Sequence, residues 1–201
     1  MNKKIVFLFL IFLISCKNDQ KRMILGYSEF QKEMNAKFKD ASKSPLTKKD
    51  LKDFKGLEFF PIDDAYKIKA VLSKTPNGAI VQFPTTTDRV AMYKEYGLLS
   101  FSIDTMVVKL TIYKEENPDL LYQDYLFLPF FDLTNGRTSY KGGRFIDVLT
   151  TDENSDGTIT LDFNKAYNPS CAYSNRYSCP VPPPDNFINT EVRAGVKAYK
   201  K

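Results

Sequence analysis

No histidine occurs in this 201-residue chain, and no tryptophan. The first absence excludes Ser-His-Asp and Cys-His catalysis and every metal site built on imidazole. Cysteine is scarce, with three residues in all. Charge of one sign is lacking too: 29 Lys and Arg face 24 Asp and Glu, a net +5. So mild an excess gives no argument for a nucleic-acid partner. The longest apolar run, Ile5 to Ile14, falls short of the about 20 residues that span a bilayer. No internal repeat and no linker divides the chain.

That short run is nevertheless informative. Lys3 and Lys4 precede it, and Ser15-Cys16 closes it. A basic start, a short apolar stretch and a small residue before the cut describe a signal peptide. The order Leu13-Ile14-Ser15-Cys16 resembles a bacterial lipobox. That resemblance implies cleavage before Cys16, a diacylglycerol on its sulfur and an acyl chain such as palmitate on its new amine. Stacked chains, at about 0.8 kcal/mol per buried CH₂, anchor a protein durably. The expectation is a signal peptide over 1–15, a lipidated Cys16 and polar tether over 16–22, and one globular domain over 23–201. The location is then the cell envelope, with the outer membrane first, on its periplasmic or surface face. Removing residues 1–15 leaves 186 residues, and losing Lys3 and Lys4 lowers the net charge from +5 to +3.

Further along, Met23, Tyr27, Phe30, Met34 and Phe38 share one helical face, and Ser44-Pro45 ends the pattern. Thr47-Lys48-Lys49-Asp50 resembles a capping box ahead of a short second helix. From Tyr66 the pattern turns to strands. They are expected over 66–72, 79–83, 98–103, 106–113, 125–131, 144–149, 158–163 and 187–194. Pro129 interrupts the ladder of a run that is apolar on both faces. Arg144–Leu149 and Thr158–Phe163 are expected to pair as a hairpin across Asp156-Gly157. Asp152-Glu153-Asn154-Ser155-Asp156-Gly157 matches the first half of a calcium loop, but Phe163 stands where a bidentate Glu is needed, so a plain turn is preferred. Together the elements predict a mainly-β fold, an antiparallel barrel or sandwich with one or two N-terminal helices.

With Cys16 spent on lipid, Cys171 and Cys179 form an even pair flanking a polar loop. A disulfide closing that loop is the first expectation in an oxidising compartment, ahead of free thiols or a metal site. Either cysteine as a nucleophile needs a lowered pKa, and no histidine is there to supply it. Ser139 and Ser170 lie near lysines but in no recognisable Ser-x-x-Lys setting.

Residues 134–186 carry most of the unusual polar side chains. They include Gly142-Gly143-Arg144-Phe145, then Asp162-Phe163-Asn164-Lys165-Ala166-Tyr167-Asn168-Pro169-Ser170-Cys171-Ala172-Tyr173, then Cys179-Pro180-Val181-Pro182-Pro183-Pro184-Asp185-Asn186. These motifs resemble the signature of an uncharacterised bacterial and archaeal family, domain of unknown function 1684. The family pattern is GGR with an aromatic, DFN-x-AYNP-x-CAY, and CP-x-PP-x-x-N. Gly56-Leu57-Glu58-Phe59-Phe60-Pro61-Ile62-Asp63 fits its N-terminal part. The resemblance covers nearly the whole mature chain, and the family brings no established activity with it.

Arg144 is in phase with Ile146 and Val148, so on an internal face it must be paired, and the expected hairpin brings Asp162 toward it. Asn164, Asn168 and Asn186 suit bonds to irregular backbone. One reading is an internal network that ties long loops to the sheet. The other is a pocket for a carboxylate, phosphate or sugar, with Arg144, Asp162, Asn164, Tyr167, Asn168, Tyr173 and Asn186 as its contacts. The leading functional expectation is a binding or accessory module for a small polar or anionic ligand or an envelope protein, with no cofactor. The alternatives are a histidine-independent hydrolase of a glycan or ester, and a purely structural lipoprotein.

Overall fold

A computed structural model describes residues 28–200. The signal peptide, Cys16, Met23 and Tyr27 lie outside the described residues. Helix α1 (Glu29–Lys39) opens on a capping box: Ser28 Oγ accepts from the Gln31 N–H at 3.2 Å, and Gln31 Oε1 accepts from the Ser28 N–H at 3.3 Å. It stops at Asp40, before Ser44-Pro45, because the Asp40 carboxylate takes the Ser42 N–H at 2.9 Å and turns the chain. Helix α2 (Lys48–Asp53) starts at Thr47, whose hydroxyl accepts from the Asp50 N–H at 3.1 Å. Phe30, Met34 and Phe38 pack α1 onto Leu46, Leu57, Phe59, Tyr173 and Val196.

Eight strands make one sheet, curled into a half-barrel. They are β1 (Lys67–Lys74), β2 (Ile80–Pro84), β3 (Val90–Ile103), β4 (Met106–Glu115), β5 (Tyr125–Asp132), β6 (Arg144–Leu149), β7 (Thr158–Asp162) and β8 (Phe187–Ile188). The order is β6-β5-β4-β3-β1-β7, with β2 on β3 and β8 on β5. All pairs are antiparallel except β5–β8. The mainly antiparallel class with N-terminal helices is as expected, and the sheet is a half-barrel. The concave side holds the main core, from Leu99, Leu110, Ile112, Leu128, Phe130, Ile159 and Leu161, all fully buried. A second aromatic row runs across the strands. Phe83 meets Tyr113 edge-on at 4.9 Å, Tyr93 stacks on Phe127 at 5.0 Å, and Phe127, Phe145 and Tyr167 continue it.

Three expectations need correction. β6 and β7 do not form a hairpin: β6 pairs with β5 and β7 with β1, at opposite ends of the sheet. β5, apolar on both faces, needs partners along both edges, and β6 supplies one of them. The last strand shrinks to Phe187–Ile188, and the following segment turns into the core, where Val192 and Ala194 are fully buried. β3 begins at Val90, eight residues early, because a bulge between Glu95 and Gly97 shifts its register and hides the alternation.

At the end of β5 the ladder fails and is mended. β4 and β5 share one register pair, Tyr113 with Phe127. Two residues on, Thr111 faces Pro129, which has no N–H to give. The Asn186 side chain fills the gap. Its Oδ1 accepts from the Thr111 N–H at 2.9 Å, and its Nδ2 donates to the carbonyls of Thr111 and Pro129, each at 2.8 Å.

Candidate functional site

The structure divides the seven sequence-predicted contacts among four places. Arg144 opens β6 after Gly143, whose φ of +84° and contact with the Phe130 carbonyl leave no room for a Cβ. Its side chain is fully buried and paired with Asp132 at 2.8 Å, with both side chains at 0 % exposure. The guanidinium also donates to the carbonyls of Val192, at 2.7 Å, and Ala194, and lies near the Phe60 and Phe130 rings. Burial lowers the Arg144 pKa, and the Asp132 charge opposes that shift. Arg144 is therefore an internal anchor, and the expectations of a ligand contact and of a partner in Asp162 are both corrected. Asp162 sits across the sheet at the end of β7, where its carboxylate accepts from the Asn164 N–H at 3.1 Å.

Asn164 also serves the backbone. It takes the Asp63 N–H at 3.1 Å and gives to the Asp63 carbonyl at 2.9 Å, tying the approach to β1 to the exit of β7. With Asp162 it borders a cleft of about 330 Å³ beside Ser28 and Glu33. Asn186 is the ladder patch already described, 1 % exposed.

Tyr167, Asn168 and Tyr173 do come together. They line a cavity of about 290 Å³ under α1, which Phe30, Met34, Lys37 and Phe38 roof. Tyr177, Ser170, Lys43, Pro45 and Asp147 complete it. Asn168 is 3 % exposed, and its Nδ2 donates to the Lys197 carbonyl at 2.9 Å and to Tyr173 Oη at 3.3 Å. The Lys197 carbonyl can only accept, so it fixes which way the amide points. Asn168 Oδ1 is then left buried with no partner. Tyr167 donates to Asp147 Oδ1 at 2.7 Å. Asp147 lies on the outer face of β6, yet its carboxyl is crowded, and desolvation raises its pKa against the hydrogen bond from Tyr167. Buried phenols raise their own pKa values, so Tyr167 and Tyr173 are donors at any ordinary pH. Asp147, Tyr177, Lys37 on α1 and Lys43 beyond it escaped sequence reading because they arrive from separate elements. The only signal was Asp147, the polar residue between Ile146 and Val148. Larger clefts of about 750 and 630 Å³ open elsewhere, and none of the predicted residues lines them.

Cys171 and Cys179 are both free thiols, so the expected disulfide is not present. The short helical turn Ser170–Ala172 points the Cys171 N–H at Cys179 Sγ, 3.1 Å away, so that sulfur meets backbone instead of bridging. The calcium-loop residues turn inward on local partners: Asp156 takes Lys69 at 2.7 Å and the Thr158 N–H at 3.2 Å, and Asp152 takes the Leu149 N–H at 2.9 Å. Lys69 first, with Thr158, draws the Asp156 pKa down to about 2. Among the described residues, no cluster of three or more Cys, Asp or Glu is placed to hold a metal.

A search of curated proteins finds no match. Among solved structures, an uncharacterised protein of Haloarcula marismortui, determined by solution NMR, is 36 % identical, with a TM-score of 0.67. The match covers 83 % of this chain and 89 % of that one. The model of a family described as protein of unknown function (DUF1684) matches residues 52–197. That span contains β1 to β8, the Arg144–Asp132 pair and half of the cavity wall, and the chain belongs to this family.

Proposed function

We propose that this protein is a lipid-anchored envelope protein whose domain binds a small, hydroxyl-rich ligand in the cavity under α1. The observation that carries the reading is Asn168 Oδ1, a buried acceptor with no partner at a cavity wall. Leaving such an atom unpaired costs about 1–3 kcal/mol, which a ligand O–H or N–H removes. The Tyr167 and Tyr173 rings offer flat apolar walls, and Asp147 a second acceptor. That set suits a sugar ring, and a volume of about 290 Å³ fits one small ring. Lys37 and Lys43 suit an acidic substituent on it. A glycosidase needs two carboxyls across its substrate, whereas Asp147 is the one carboxylate lining this cavity, so binding is favoured over hydrolysis.

The test is calorimetric titration of the unlipidated Cys16→Ala chain with glucose, N-acetylglucosamine and glucuronic acid. At least one is expected to bind saturably, and Asn168→Ala to weaken it by about tenfold. Because Asn168 also holds the Lys197 carbonyl, Asp147→Asn on the outer strand face is the companion variant, and it too should weaken binding. Absence of binding by all three sugars overturns the assignment.

The anchor rests on Lys3, Lys4 and the Leu13–Cys16 order. Cys16→Ala is expected to move the protein from the membrane fraction to the soluble one. Persistence in the membrane after a carbonate wash overturns the lipid anchor without touching the cavity.

A further inference from the structure

The two free thiols sit in a setting that a structural role does not require. Cys179 is 7 % exposed, while Cys171 is half-buried at the mouth of the loop. Tyr140 Oη lies 3.7 Å from Cys171 Sγ. Thr86, two residues beyond β2, accepts from the Cys179 N–H at 3.1 Å and gives its own proton to the Tyr177 carbonyl at 3.3 Å. Cys171 Sγ thus has a phenol able to donate to it and the Cys179 thiol beside it. Such a shell favours the thiolate, the form of cysteine that attacks.

We propose that Cys171 and Cys179 form a thiol–disulfide exchange site, with Cys171 as the attacking sulfur and Cys179 as the resolving one. The substrate class is a small or exposed disulfide, R–S–S–R. Cys171 thiolate attacks one sulfur, the R–S–S–R bond breaks, a Cys171–S–S–R bond forms, and RS⁻ leaves to take up a proton. Cys179 then loses its proton and attacks Cys171 Sγ, expelling the second RS⁻. The protein dithiol gives up two electrons and two protons, and the disulfide becomes two thiols. The local chemistry agrees with the order. The neighbouring Cys179 thiol, then Tyr140, bring the Cys171 pKa down to about 6 against the pull of burial. Cys179 is pushed up by Cys171 and by desolvation, so it waits as the thiol until Cys171 is consumed. Such asymmetry is what separates an attacking from a resolving cysteine. The site is independent of the sugar cavity, and sugar binding leaves it undecided.

The probe is the aromatic disulfide 5,5′-dithiobis(2-nitrobenzoate), added to full chains carrying Cys16→Ser so that only the pair reacts. The otherwise native chain should release two aryl thiolates and end with no adduct by mass. Cys179→Ser should release one and trap the mixed adduct. Cys171→Ser should react at least about tenfold more slowly at pH 7. The rate of first release should rise with pH through a midpoint near 6, and Tyr140→Phe should move that midpoint up. A chain that keeps two aryl adducts shows two independent thiols and overturns the proposal. So does Cys171 reacting no faster than free cysteine.

Discussion

Asp132→Ala is expected to cost the fold about 3–5 kcal/mol, the usual result of stripping one partner from a buried ion pair. Domains of this kind hold about 5–15 kcal/mol in all, so this single change removes a large part of the stability. Both side chains are wholly inside, and the carboxylate has further duties. Asp132 Oδ1 accepts from the Thr134 N–H at 2.8 Å and the Val192 N–H at 3.2 Å. Losing it orphans a guanidinium and two backbone donors together. Arg144→Ala should be comparably severe, since it frees the Val192 and Ala194 carbonyls and leaves the carboxylate alone. The double variant should lose less than the sum, by about 1–3 kcal/mol, because each single change already breaks the shared contact. Urea unfolding followed by circular dichroism reads all three. The effect should hardly change with added salt, because water and ions do not reach the pair. Exposed bridges such as Lys69–Asp156 give the contrast, since water and salt screen them. A loss below about 1 kcal/mol for Asp132→Ala would mean that the pair does not anchor the core.

The strand pattern was legible where alternation was clean. Ile68, Ala70 and Leu72 bury every second residue of β1, as a half-buried strand must. Arg144 stood out for the same reason, a charge in phase with Ile146 and Val148. Its partner did not. Proximity in sequence suggested Asp162, since β6 and β7 follow one another with a turn between them. The sheet instead sends them to opposite ends, and pairing choice depends on which edges other strands leave open. Asp132 gave no warning, as a single acid closing the run Leu126 to Phe131. The cysteines teach a similar lesson. Spacing shows that a bridge is feasible in length, whereas the direction of each sulfur follows from a three-residue helical turn that sequence does not specify. Tyr167, Asn168 and Tyr173 were found because one motif holds them. The remaining cavity wall, from α1 and β6, becomes visible only when the helix is laid on the sheet.

The Asn186 side chain leads to the second large effect. A sheet normally excludes proline from a central strand, since the missing N–H and the ring open the ladder. Here β5 carries Pro129 between β4 and β6, and the side-chain amide of Asn186 stands in for a stretch of backbone. An amide is the right group because it both donates and accepts in one plane. Asn186→Ala removes three hydrogen bonds of about 1 kcal/mol each and strands the Thr111 N–H and two carbonyls, so a loss of about 2–4 kcal/mol is expected. Asn186→Asp is the sharper test. It keeps the shape and can still accept from Thr111, but sets a buried carboxylate against two carbonyl oxygens. It should be at least as damaging as alanine. Hydrogen exchange locates the cause: the Thr111 amide should lose protection in Asn186→Ala, while the other amides of the β3–β4 hairpin keep theirs. If Thr111 stays protected while stability falls, the damage comes from the Asn186 backbone contacts to Phe131 and Pro183, and the side chain is not the mend. If Thr111 alone opens, a polar residue at the end of a proline-rich loop completes the sheet that the proline interrupts. That accounts physically for the CP-x-PP-x-x-N pattern in this chain, with no ligand required at that asparagine.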